Sequence, residues 1–293
     1  MKDEGQKQAF EAGEGGKSHP SSFQRALDFT FGSLRQLSES GSNLRGSRES
    51  LRRLAAARPK AAPAATVAPP ISQSATLLPS PEVFPTTGAT KPERIAQLRA
   101  AVAPCVKCPN LARTRTQTVF GVGNIDARIM FVGEAPGADE DLAGEPFVGK
   151  AGELLTKIIA AMGLTRSELF IANVLKCRPD IPPGASGNRR PTTAEMQTCL
   201  PYLRAQIEII KPSVLVALGA VAMEGLLGNT EPMGRLRGRW HEFQGIPLMA
   251  TYHPAYLLRN QSLGEKRKVW EDMLLVMERV GLPISEKQRG YFL

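Results

Sequence analysis

The four cysteines of this 293-residue chain are the side chains best suited to binding a metal. Cys105 and Cys108 form a C-x-x-C pair, and Cys177 and Cys199 follow further along the chain. Two cysteines at this spacing can bind one centre, because the turn between them directs both sulfur atoms to the same side. In a reducing compartment, four cysteines suggest a metal site sooner than two disulfides. The cysteines alone leave zinc and an iron–sulfur cluster equally open, whereas a redox pair or unrelated buried thiols fit less well.

A second group of distinctive residues closes short apolar segments. The stretch GEAPG (133–137) follows one segment, Asn173 lies towards the end of the next, and His253 ends a later one. An asparagine in an apolar strand is costly unless its amide is satisfied, so a binding role is favoured. A histidine at a strand end is, on its own, more often structural. Because ligands of open α/β sheets bind at the carboxyl ends of the strands, we expect a site at this edge.

Strand and helix patterns alternate from Lys91 onward. Four segments are almost continuously apolar, as strands buried on both faces are: 128–134, 169–177, 213–219 and 246–254. Helical patterns occupy 91–105, 150–163, 192–210, 220–227 and about 264–281. This order predicts an α/β fold, a three-layer α/β/α domain with a central four-stranded, mainly parallel sheet.

The first 92 residues differ in composition from the rest. They mix Gly, Ser and charged residues and continue into an Ala- and Pro-rich stretch over 55–87. Such a composition cannot bury enough apolar area to offset the entropy of ordering. We therefore predict a disordered or linker extension over 1–92 and a folded domain over 93–293. Weak helical periodicity over 22–37 leaves a protein partner for the extension as an alternative.

The charge of the chain suggests its kind of partner. A formal net charge of +9 raises the local concentration of polyanions, so nucleic acid is a natural partner. No apolar run approaches the ~18 residues of a membrane-spanning helix, and the charged start MKDEGQKQAF is not typical of a secretory signal. We expect a cytoplasmic protein, at the nucleoid in a bacterium, with no membrane contact.

Four motifs in order resemble the family 4 uracil-DNA glycosylases, the iron–sulfur group of the uracil-DNA glycosylase superfamily. They are residues 119–152, NVLKCRP (173–179), NRRPTTAE (188–195) and YHPAYLLR (252–259). The resemblance covers about residues 93–282 and implies a 4Fe–4S cluster bound by Cys105, Cys108, Cys177 and Cys199. It also implies hydrolysis of the N-glycosidic bond of uracil in DNA, in base excision repair. A monomer is the default for this chemistry. The loop 178–191 is longer than usual for the family, so the role of Asn188 stays open.

The resemblance assigns roles to the residues at the strand ends. Phe147 stacks on the base, and Asn173 reads O4 and N3–H of uracil, a pattern that cytosine reverses. His253 donates to O2 as charge builds on the leaving base. Glu134, with the backbone of Ala135, lines the pocket, and it orients the water or stabilises the cationic sugar.

Further positions follow from the same resemblance. Glu140 packs near uracil C5 and helps to exclude thymine, although a solvated loop carboxylate is the rival interpretation. Leu257 and Leu258 form a wedge into DNA, and Arg259 holds a phosphate. Six more arginines are phosphate candidates, each of which is more often a solvated surface charge: Arg178, Arg189, Arg190, Arg235, Arg237 and Arg239.

Two alternatives remain at this point. One is a domain of the same superfamily that binds or traps uracil-DNA without turnover. The cross-linking relatives carry a nucleophilic histidine after the KCRP motif, and the loop 178–191 contains none. The other alternative is a zinc-containing nucleotide-binding protein of doubly wound fold.

Overall fold

A computed structural model describes residues 87–181, 184 and 187–293 of the chain. The predicted extension over 1–92 and the segment 22–37 lie wholly or almost wholly outside the described residues, and both stay predictions. The first described helix begins at Lys91, where Thr90 caps it and Glu93 closes a capping box.

The sheet has six strands in the order β1-β3-β2-β4-β6-β5. Their bounds are Val122–Gly123 (β1), Ile129–Gly133 (β2), Phe170–Asn173 (β3), Val214–Leu218 (β4), Trp240–Phe243 (β5) and Ile246–Thr251 (β6). The four strands predicted from the sequence form the parallel centre β3-β2-β4-β6, and β1 and β5 add antiparallel edges. The α/β prediction is therefore confirmed, with two edge strands that the sequence patterns did not reveal.

Ten α-helices and one 3-10 helix, Arg166–Glu168, accompany the sheet within the described residues. The α-helices are Lys91–Val102 (α1), Pro109–Thr114 (α2), Ala138–Ala143 (α3), Lys150–Ala161 (α4), Thr193–Ile210 (α5), Ala220–Leu227 (α6), Met233–Leu236 (α7), Pro254–Arg259 (α8), Leu263–Arg279 (α9) and Glu286–Arg289 (α10). None of the described helices is long and apolar enough to cross a membrane.

The two faces of the sheet carry separate apolar cores. Side chains alternate along each strand, so Met130 and Val132 of β2 face one core while Ile129 and Phe131 face the other. Helices α1, α5 and α6 cover the first face, and α4 and α9 cover the second. The result is the three-layer arrangement expected from the sequence.

Strand β3 is shorter than its apolar run. It ends at Asn173, so Cys177 lies four residues beyond the strand rather than at its end. The chain nevertheless stays beside β2 and the residue after it, because Val174 N donates to Gly133 O (3.0 Å) and Leu175 N donates to Glu134 O (3.1 Å). These bonds bring the segment after β3 against the GEAPG loop.

Candidate active site

Four residues meet at the carboxyl edge of the parallel strands, and we call them the base site: Gly133, Phe147, Asn173 and His253. Gly133 ends β2 and Asn173 ends β3, whose Cα atoms are paired in register. The rings of Phe147 and His253 stack with centroids 5.5 Å apart. A β-carbon built on Gly133 would lie 2.5 Å from Cζ of Phe147 and overlap Oδ1 of Asn173. Only glycine therefore lets these side chains come so close.

Asn173 is buried without a complete set of partners. The residue is 2% exposed, and its Oδ1 is one of three buried side-chain polar atoms without a hydrogen-bond partner in the described part of the chain. A buried acceptor left unpaired costs about 1–3 kcal/mol, so such an atom in a native fold calls for an explanation. A ligand with a donor group at this position would satisfy it.

Phe147 is held in an unusual backbone conformation. Its φ is 56°, in the left-handed region that non-glycine residues rarely adopt, although the side chain is only 6% exposed. Helix α4 begins just after it, and a β-carbon at Gly152 would overlap the Phe147 carbonyl. The start of α4 therefore packs directly against the phenylalanine backbone and helps to fix the ring.

Glu140 fastens the loop that carries Phe147. Its Oε1 accepts hydrogen bonds from Val148 N (3.2 Å) and Gly149 N (3.3 Å), and its Oε2 accepts one from Gly137 N (2.9 Å). The carboxylate therefore ties the GEAPG loop to the loop after Phe147. Neither the solvated-loop interpretation nor the sequence pattern indicated this internal use.

His253 is held in one tautomer. Its Nδ1 accepts a hydrogen bond from Ala255 N (3.1 Å) at the start of α8, so in the neutral ring Nε2 carries the proton. Burial lowers the pKa of His253 to about 4, and the charge of Arg259 acts in the same direction. At neutral pH the ring is an uncharged hydrogen-bond donor beside Phe147.

Glu134 and Ala135 follow β2 at the same edge of the sheet and are both partly buried. Burial raises the pKa of Glu134, and the nearby charge of Arg190 partly opposes that effect. The exposed side chain of Asn188 approaches this loop, since its Nδ2 lies 3.1 Å from where a β-carbon of Gly137 would be.

The three residues predicted to contact DNA all lie on α8, directly after His253. Leu257 is 4% exposed and packs inside the domain, whereas Leu258 is 38% exposed. Arg259 is exposed at the last position of the helix. The structure thus leaves Leu258 and Arg259 available to a partner at the surface.

The other arginine candidates differ in what they already bind. Arg189 donates to Glu195 and Asp180, and Arg237 binds the buried carboxylate of Asp272 through two nitrogens. Arg190 pairs with Glu224. Arg178 is partly buried with an unpaired Nε, while Arg235 and Arg239 are exposed. Arg189 and Arg237 therefore serve the fold first.

All four cysteines line one cleft, which we call the cysteine cleft. Burial raises the pKa of Cys199 to about 12 and also raises the pKa of Cys108 and Cys177. A thiol with a raised pKa is a poor nucleophile, so Cys108 of the C-x-x-C pair is poorly suited to redox catalysis. In the described residues no group of three or more His, Cys, Asp or Glu side chains has the arrangement to hold a metal ion.

Two residues donate hydrogen bonds to sulfur atoms of the cysteine cleft, and the sequence patterns did not single them out. Arg115 Nη1 donates to Cys177 Sγ (3.0 Å), and the backbone N of Lys176 donates to Cys199 Sγ (3.2 Å). Hydrogen bonds to sulfur accompany thiolate ligands of iron–sulfur clusters and tune their potential. Four thiols lining one cleft, two of which accept hydrogen bonds, have the donor chemistry that such a cluster requires. The lysine directly before Cys177 in the motif KCRP is the sequence feature that could have indicated one of these two residues.

Comparison with known proteins places the chain in a family. A family model described as the uracil DNA glycosylase superfamily matches residues 120–274, slightly more than half of the chain. The chain therefore belongs to that superfamily.

Three relatives indicate the branch of the superfamily. The type-4 uracil-DNA glycosylase of Thermotoga maritima is 44% identical over 186 residues, which is 63% of this chain and 93% of the relative. The type-4 enzyme of Archaeoglobus fulgidus is 42% identical over 182 residues, covering 59% and 88% of the two chains. That of Pyrobaculum aerophilum is 40% identical over 183 residues, covering 59% and 90%. The resemblance found in the sequence motifs is confirmed.

Proposed function

We propose that this protein is a uracil-DNA glycosylase of the type-4 group, a monofunctional hydrolase that removes uracil from DNA in base excision repair. The observation that carries the proposal is the buried, unpaired amide oxygen of Asn173 beside the stacked rings of Phe147 and His253. The curated relatives of the same branch are named for this activity.

Recognition requires the base to leave the helical stack. A glycosylase rotates the nucleotide into a pocket and reads the Watson–Crick edge of the base. The Phe147 ring offers a flat face, and the Asn173 amide offers a donor beside an acceptor. Uracil N3–H and O4 match that pair, whereas cytosine presents the reverse pattern and would leave buried groups unpaired.

Departure of the base requires stabilisation of the charge that builds on it. His253 donates from Nε2, because Ala255 N occupies Nδ1. A neutral donor fixed in advance stabilises a developing oxyanion at uracil O2 without reorganising at the moment of reaction. The low pKa of His253 keeps the ring in that form at neutral pH.

The sugar becomes cationic as the base departs. Glu134 is the carboxylate nearest in sequence to the base site, and burial strengthens its attraction for a positive charge. We assign it to the deoxyribose side of the pocket, where it stabilises that charge or orients the attacking water. Ala135 contributes its backbone to the same wall.

The surface beside the base site suits a DNA backbone. Leu258 lies five residues beyond His253 and is exposed, so it can fill the space that the flipped base vacates. Arg259 next to it can bind a phosphate. The net charge of +9 supports the same partner.

The cysteine cleft would hold a 4Fe–4S cluster through Cys105, Cys108, Cys177 and Cys199. When bound, the cluster would link distant parts of the chain covalently, so its contribution would be structural. It would join α2, the segment after β3 and helix α5, and these elements are also connected by Asn110 Nδ2, which donates to Glu195 Oε1 (3.0 Å).

A uracil-containing oligonucleotide tests the proposal directly. The wild-type protein is incubated with the labelled strand, which is then heated in alkali to break abasic sites. We expect cleavage at uracil, reduced at least a hundredfold in His253→Ala. His241→Ala is the matched control, because His241 instead contacts Leu236 O (2.8 Å). Retention of DNA without cleavage would instead indicate the non-turnover binding domain.

A further inference from the structure

Lys176 is a buried lysine that the proposed reaction does not use. It is 1% exposed, and its Nζ donates to Asn173 O (2.9 Å) and to Gln206 Oε1 (2.6 Å). Gln206 is itself fully buried and donates to Phe120 O (2.8 Å). A buried ammonium group is costly unless it is well paired, so its retention needs a reason.

The same residue touches the cysteine cleft. Its backbone N donates to Cys199 Sγ, and Cys177 is the next residue in the chain. Within the described residues its ammonium group donates to two amide oxygens and to no carboxylate. Lys176 is therefore the residue where the cleft and the base site meet.

Asn173 is the last residue of β3. The direction of the Asn173 carbonyl sets the orientation of the peptide group between Asn173 and Val174. That orientation helps to fix where the Asn173 side-chain amide points. The ammonium group of Lys176 holds that carbonyl from the protein interior. A charge-assisted hydrogen bond of this kind is stronger than one between neutral groups.

We propose that Lys176 is a positioning residue, whose ammonium group fixes the backbone of Asn173 and couples uracil recognition to the occupied cysteine cleft. Loss of the ammonium group weakens binding of the base while the cluster stays in place. This inference rests on the proposed function, because it concerns the residue that reads the base.

The test uses the iron-loaded Lys176→Met variant, which keeps the length of the side chain and removes its donors. Three quantities are measured: iron and sulfide per chain, kcat and KM on a uracil-containing oligonucleotide, and the inhibition constant of free uracil. We expect unchanged iron content and roughly tenfold weaker inhibition by uracil, the effect of one charge-assisted hydrogen bond. Lys107→Met is the matched control, since it removes a lysine that lines the same cleft and lies over the Tyr202 ring.

Several outcomes would overturn the inference. If Lys176→Met binds uracil as tightly as the wild type, the ammonium group does not position Asn173. If activity falls only in proportion to lost iron, the lysine serves the cluster alone. If the wild type itself fails to excise uracil, the proposed function fails, and the two failures are therefore distinguishable.

A second variant covers the case in which Lys176→Met does not fold. Gln206→Glu keeps the shape of the partner and draws the ammonium group towards a new carboxylate, away from the Asn173 carbonyl. We expect weaker inhibition by free uracil at unchanged iron content. Inhibition equal to that of the wild type would contradict the positioning role.

Discussion

Asn173 illustrates how a single residue can trade stability for recognition. Its amide oxygen lies buried without a partner in the protein. Replacing it with leucine removes the unpaired acceptor at similar volume, so we expect Asn173→Leu to melt at or above the temperature of the wild type. The same change should lower kcat/KM by at least a thousandfold, because leucine cannot hydrogen-bond the Watson–Crick edge of the base.

Thermal melting and steady-state kinetics on one preparation check this prediction. Gln206→Leu is a useful control, because it also removes a buried amide, but one that is fully bonded. That variant should lose stability. A lower melting temperature for Asn173→Leu would show that its amide stabilises the fold.

His253 gives a prediction for pH. Its pKa of about 4 lies below the ordinary value of 6.5, so the folded protein binds this proton less readily than the unfolded chain does. Its contribution therefore leaves stability unchanged above pH 6.5 and lowers it as the pH falls from about 6.5 to 4, by up to about 3 kcal/mol. Because His253 does not titrate near pH 6.5 in the folded protein, it should add no inflection there to the pH profile of the excision rate. The profiles of the wild type and of His253→Gln should therefore have the same shape around pH 6.5.

The imidazole can be observed directly. Nitrogen-15 NMR of the side chain should show Nε2 protonated and Nδ1 bare at pH 7, with no titration above about pH 5. His241, whose Nε2 contacts the Leu236 carbonyl, serves as the internal comparison in the same spectrum. Titration of His253 near 6.5 would refute the account of the neutral donor.

At the scale of elements, the close approach of β2 and the Phe147 loop yields another prediction. In Gly133→Ala the new methyl group would meet the Phe147 ring and the Asn173 amide. Such overpacking costs about 1–3 kcal/mol of stability. We expect that loss in chemical unfolding, together with at least a hundredfold drop in kcat/KM. Gly234→Ala is the control, because nothing lies within 4 Å of its added β-carbon.

The elements themselves were largely predictable from periodicity. The apolar runs of β2 and β4 and the helices α4, α5 and α6 match their predicted ranges to within two residues. The edge strands escaped, because β1 has two residues and β5 (WHEF) is mixed in polarity. A two-residue turn, in which Gln244 and Gly245 both have positive φ, joins β5 to β6 and allows the two strands to pair as a hairpin.

The candidate site was predictable only in part. Gly133, Phe147, Asn173 and His253 stood out through the resemblance, and the structure brings them together. The bracing by Glu140 and the buried position of Lys176 depend on contacts between loops that are far apart in sequence. Periodicity carries no information on such contacts.

At the scale of the molecule, the cysteine cleft joins residues that lie up to 94 positions apart, from 105 to 199. A group that binds all four cysteines closes long loops. It stabilises the fold mainly because it lowers the conformational entropy of the unfolded chain. We therefore expect Cys199→Ala to lose iron and to melt well below the wild type. Absorption near 400 nm and melting by circular dichroism measure both effects, and a normal melting curve would contradict a structural role.

The bracing of the base site determines which partner must change shape. The base site is fixed before DNA arrives. It is held by the close packing at Gly133, by the hydrogen bonds that the Glu140 carboxylate accepts, and by the left-handed backbone conformation of Phe147. The energy needed to expose the base then falls on the nucleic acid, and it is smallest where the base is already unpaired or mispaired. Rates of excision should therefore rank substrates by the ease of opening: uracil in a single strand first, then opposite guanine, then opposite adenine.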